Sequence, residues 1–79
     1  MTAKEMFEKL GYKQVKNNLG EIAYQKPRYE NKYSNTVAMY AHINFDLYTK
    51  SVFATHYLSL DEFKSINKQI EELGWFDGI

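Results

Sequence analysis

The sequence predicts an α+β domain of order α-β-β-β-β-α, an antiparallel sheet with two helices packed on one face. Three observations carry this. A capped, helically periodic segment stands at each end of the chain, the residues between them alternate with the period of strands, and turn-forming residues separate the alternating runs. Residues 1–79 form one small domain, near the size at which a single core is only marginally stabilising.

The last segment, SLDEFKSINKQIEELGWF, is the best bounded. Ser59 and Glu62 make an S-x-x-E capping box, and Leu58 and Phe63 occupy the staple positions across the helix start. Phe63, Ile66, Ile70 and Leu73 form one apolar stripe; Gly74 is the expected left-handed stop, with Trp75 folded back onto Ile70. The first segment uses the same devices. Thr2 and Glu5 form a capping box, Met1 and Met6 a staple, and Ala3, Met6, Phe7 and Leu10 one face. Gly11 ends that helix and sets Tyr12 against Phe7.

Between the helices, residues 12–17 read as a strand with Val15 as its inward residue. Asn17-Asn18-Leu19-Gly20 supplies a turn through residues that tolerate positive φ, and 21–26 returns as the second strand of a hairpin. The stretch 27–35, PRYENKYSN, has no usable period. Its proline demotes any strand there to an edge, and part of the stretch prolongs the flanking strands or forms a loop. Residues 36–48 give the strongest strand. Val37, Met39, Ala41, Ile43, Phe45 and Leu47 face the helices; Ala38, Tyr40, His42, Asn44, Asp46 and Tyr48 face outward. Residues 52–58 return antiparallel with two parities open. Phe53 and Tyr57 would serve as core residues, but the staple role of Leu58 favours Val52, Ala54 and His56 on the helix side.

Composition bounds the function. Ten basic and ten acidic residues cancel, so no overall field attracts nucleic acid; the first forty residues lean positive and the rest negative, a mild bias. The chain has no cysteine, which excludes disulfides and thiolate metal sites. Neither a signal peptide nor a membrane-spanning run is apparent, which points to a soluble cytoplasmic protein without a membrane partner. The two histidines, His42 and His56, would sit roughly 5 Å apart if the second hairpin paired them directly, but two ligands do not make a metal site. No nucleophile motif, P-loop or dinucleotide glycine pattern is present, so neither catalytic residues nor a cofactor are expected.

What remains is surface. Tyr40, His42 and Tyr48 share the outer strand face, and Arg28, Tyr29, Lys32 and Tyr33 lie in the adjoining stretch. Tyrosine is enriched in protein interfaces, which makes this strip the expected contact surface for a protein partner, a second copy included. The competing interpretation is a small nucleic-acid binder that stacks bases on these aromatics beside Lys13, Lys16, Lys26, Arg28 and Lys32. Against both stands the plain alternative that tyrosines are good strand formers and need no ligand.

The FEKLGY helix ending, the INFDL strand ending and the EFKSINKQIEELGW helix together resemble a group of small proteins. These are encoded in phages, prophages and other mobile elements of Gram-positive bacteria, and no function is established for them. The resemblance covers most of the chain in element order and is most specific in the last helix. It implies a cytosolic accessory protein made in a bacterial host. It brings no catalytic residues. The open sheet face with its Tyr-rich strip makes a non-enzymatic protein that acts by protein–protein binding the leading expectation.

Overall fold

The computed structural model describes residues 1–31 and 36–77, and among these the side chains of all but 28–31, 36–38 and 77. The order is α1 (Ala3–Lys9), β1 (Lys13–Asn17), β2 (Glu21–Asn31), β3 (Thr36–Asp46), β4 (Ser51–Ala54) and α2 (Leu60–Glu72), closed by a 3-10 turn at Trp75–Asp77. The four strands form one antiparallel meander in the order β1-β2-β3-β4. Both helices pack against the same sheet face, as the sequence predicts.

Both capping boxes form, with Thr2 paired to Glu5 and Ser59 to Glu62. At the end of α1 the stop is a full Schellman motif: Gly11 at φ 92° donates to Glu8, and Tyr12 donates to Phe7, both at 3.0 Å. That reversal sends Tyr12 inward, its ring edge-on to Phe7 with centroids 5.6 Å apart. Phe7 in turn stacks on Tyr24 at 4.0 Å and meets Phe45 edge-on. With Ile22, Ala41, Ile43 and Ile66 these rings make the core, and Trp75 closes its far end against Phe45 at 6.4 Å. The end of α2 is held by Gly74, at φ 73°, donating to Glu71.

Four details depart from the sequence reading. Val15 is not inward. The ladder slips between Gln14 and Lys16, so Val15 is the extra residue of a bulge and stands 46 % exposed, while Gln14 faces Tyr24. The first hairpin turn uses no positive φ. Instead Asn18 Oδ1 accepts the N–H groups of Gly20 (2.8 Å) and Glu21 (2.9 Å), an Asx turn. β3 stops at Asp46, whose carboxylate accepts the N–H groups of Tyr48 and Thr49 at 3.0 Å and turns the chain. Those two bonds, the Thr49 one first, hold the Asp46 carboxyl below its ordinary value.

The fourth is Phe63. It is 54 % exposed, and its staple partner Leu58 is also exposed. The sheet-facing side of α2 is instead Glu62, Ser65, Ile66 and Gln69, with Ile70 and Leu73 partly buried beside it. A hydrophobic stripe alone would have turned the helix so as to bury Phe63; buried polar partners hold it in another rotation.

Of the stretch 27–35, residues 27–31 continue β2, and 32–35 lie outside the described residues. β1 pairs no further than Gln25, so Pro27 lies on a length of β2 with only β3 beside it, where a missing N–H breaks no ladder bond. The second hairpin has the favoured parity: Val52 pairs with Phe45 and Ala54 with Ile43, so both lie on the helix side, with His56 following.

Candidate functional site

Among the described residues, polar side chains gather in a buried seam between α2 and the sheet, and aromatic side chains stand exposed on the sheet's outer face.

The seam has two knots. In the first, Glu62 occupies the third position of α2 and uses its two oxygens differently. Oε1 accepts the Ser59 N–H at 2.9 Å, completing the cap. Oε2 accepts from the Tyr12 hydroxyl and lies 2.6 Å from His56 Nε2. The His56 and Glu62 side chains are only 6 % and 9 % exposed. Burial pushes the Glu62 carboxyl up, but the bonds from Tyr12, His56 and Ser59 outweigh it and hold the group at about 2. An ionised carboxylate is thereby kept inside the protein, with three donors in place of water. The Lys26 ammonium sits 4.7 Å above the Tyr12 ring and donates to the Leu10 carbonyl at the end of α1.

The second knot is neutral. Tyr24 donates to Gln69 Oε1 at 2.5 Å and accepts from Gln14 at 3.2 Å. Burial, the larger influence, raises the Tyr24 hydroxyl above its ordinary value. Together the knots explain the rotation of α2, because turning Phe63 inward would carry Glu62 and Gln69 away from the buried side chains they bond, Tyr12, His56 and Tyr24.

The first knot has the outline of a catalytic relay. With its Nε2–H donating to the Glu62 carboxylate, His56 presents Nδ1 to the Thr55 hydroxyl at 3.4 Å. That hydroxyl is already engaged: it accepts the His42 N–H at 2.9 Å and, with the Thr55 N–H to the His42 carbonyl, prolongs the β3–β4 ladder beyond Ala54. The cluster joins the start of β1, the exit of β4 and the start of α2. A cleft of about 390 Å³, lined by Lys26, Pro27, Ala41, His56, Tyr57 and Glu62, opens beside it.

The histidines are not cross-strand neighbours, since His42 pairs with Thr55 and lies on the outer face while His56 lies on the inner one. Among the described residues no three metal-ligating His, Asp or Glu side chains gather. No helix among them is long and apolar enough to cross a membrane.

On the outer face, Tyr40 is 45 % exposed and His42 partly buried, on alternate residues of β3. Tyr48 is 81 % exposed but lies in the turn after β3, roughly 26 Å along the chain from Tyr40, with its ring against Gly20. Tyr48 therefore stands apart from Tyr40 and His42. Arg28 and Tyr29 lie in β2 and their side chains are outside the description, as are Lys32 and Tyr33 altogether. Of the lysines assigned to nucleic acid, Lys16 is paired with Glu21 at 2.8 Å and Lys26 is tied to Leu10 and Tyr12. The sequence reading missed Phe53, 62 % exposed in the middle of β4, having left it as a possible core residue.

A four-strand meander under two helices, with a polar seam between, defines the class. Comparison with family models, with curated proteins and with solved structures finds no match to this chain in any of the three.

Proposed function

We propose that the protein is a non-catalytic accessory protein that acts by binding another protein through the sheet face opposite its helices. The observation that carries this is the one-sided architecture. Both helices cover the inner face, and the outer face presents Tyr40, His42 and Phe53 with no layer over them among the described residues. The resemblance of the closing helix to proteins of phages and mobile elements supports a bacterial cytoplasmic setting. The hydroxyl and imidazole that would make the seam a relay are both committed to holding the fold, which favours binding over catalysis.

The test is affinity capture of the tagged chain from bacterial lysate, with and without nuclease, beside a Tyr40→Ala/His42→Ala variant. A stoichiometric protein that resists nuclease and is lost by the variant supports the proposal. Retention of every captured protein by the variant removes the outer face from consideration. A catch that vanishes with nuclease, or that weakens steeply with salt as phosphate contacts do, transfers the function to nucleic acid.

A further inference from the structure

A sheet of four strands has two outer edges, and here they are treated differently. The β1 edge carries Lys13 and Lys16 and is broken by the bulge at Val15, devices that discourage a further strand from joining. The β4 edge has none of these. Its sequence, Ser51-Val52-Phe53-Ala54, contains no charge and no proline, and its pairing with β3 is regular over all four residues. Only its shortness protects it.

The ladder fixes which groups that edge offers. The Thr55 N–H goes to His42, so by the two-residue alternation Phe53 and Ser51 also turn their N–H and C=O toward β3. Val52 and Ala54 turn theirs outward, where no strand of the described residues meets them. The side chains of Val52 and Ala54 are only half-buried on the helix side, and Phe53 stands 62 % exposed on the other. A groove of about 480 Å³, lined by Ala54, Thr55, His56 and Tyr57, continues the open edge past the strand's end.

We propose that β4 pairs antiparallel with β4 of a second copy of this chain, about a twofold axis through Phe53. A twofold pair sets each residue against a fixed partner, so its charges must be self-compatible. With the axis at Phe53, Val52 faces Ala54 of the other copy through the outward groups, and Phe53 faces Phe53 in a close, non-hydrogen-bonded pair. Ser51 faces Thr55, and no charged residue opposes a like charge. The pairing joins two sheets into one of eight strands, completes the burial of Val52 and Ala54, and covers Phe53 with an aromatic partner. It deepens the protein-binding reading by naming one partner, but it uses the edge and not the Tyr40–His42 surface.

Sedimentation velocity across a wide concentration range tests it directly. The wild-type chain is expected to pass from monomer to dimer as concentration rises. Phe53→Lys places two ammonium groups in opposition at the axis and is expected to hold the protein monomeric. Because Phe53 is exposed, the circular dichroism should not change. Phe53→Asp alone should likewise be monomeric, and an equimolar mixture with the Phe53→Lys chain should recover the dimer. Phe63→Lys, on the outer side of α2, should leave the dimer intact. A wild-type chain that stays monomeric at every concentration overturns the proposal. So does a dimer that survives Phe53→Lys, because another surface then makes it. Neither result touches the outer-face capture experiment, whose variant leaves Phe53 in place.

Discussion

Glu62 shows how much a single side chain does in a chain this small. One oxygen caps α2 and the other anchors Tyr12 and His56, so the carboxylate is worth most while it is charged. Its folded value of about 2 lies below the ordinary 4.5, so the stability it contributes is fully present above the ordinary value and is lost as pH falls toward 2. The difference corresponds to roughly 3 kcal/mol at neutral pH. Glu62→Gln should remove that pH dependence, so that urea midpoints of wild type and variant converge as the pH is lowered from 5 to 2. Tyr24 and Gln69 allow a companion experiment without charge. Tyr24→Phe leaves Gln69 Oε1 buried without its donor and should cost about 1–3 kcal/mol by urea unfolding. Adding Gln69→Leu should recover most of that loss, a coupling that a double-mutant cycle reads directly.

At the scale of elements, the rotation of α2 has the plainest consequence. Ile66→Ala should cost about 2–5 kcal/mol and Phe63→Ala no more than about 0.5, although both residues belong to one apolar stripe in the sequence. Equal losses, measured as shifts in denaturation midpoint, would mean that the helix is turned as the stripe alone suggests. The turns offer a second comparison. Gly11, at φ 92°, takes a conformation that side chains resist, and Gly11→Ala should destabilise by about 1–2 kcal/mol. Lys50 holds φ 54° in the β3–β4 turn, so Lys50→Gly should stabilise by roughly 0.5 kcal/mol, the relief of left-handed strain less the entropy glycine adds to the unfolded chain. The helix ends and β3 were legible because caps and alternation are local signals, written within a few residues. Val15 and Phe63 were not. A bulge depends on what the neighbouring strand does, and the face of a helix depends on which polar groups the sheet offers it.

For the whole molecule, the layer arrangement follows from element order and amphipathic pattern, and these were readable. The site was less so. Tyr40 and His42 emerged on the outer face because period two extends over the full length of β3, whereas Tyr48 was carried along by the same period past the point where Asp46 ends the strand. The parity of Phe53 is ambiguous in the sequence because both alternating sets of residues 52–58 contain apolar side chains, Val52 and Ala54 against Phe53 and Tyr57. The sequence assigns Glu62 its cap alone, since a capping carboxylate ordinarily faces water; the inward Tyr12, whose hydroxyl needs a buried partner, is the available hint.

The polar seam also bears on how such a chain can diverge. An apolar core drifts one residue at a time, because a methylene lost here is tolerated or refilled nearby. Tyr24 and Gln69 cannot move that way: each is a liability without the other, and the same holds among Tyr12, His56 and Glu62. Descendants that keep the fold should therefore change these positions together, trading a hydrogen-bonded set for an apolar one in linked steps. A distant cousin would then share the meander and its helices while showing none of the polar residues that orient α2 here. Comparing the linked positions as units, 24 with 69 and 12 with 56 and 62, would find such a cousin more readily than matching residues singly.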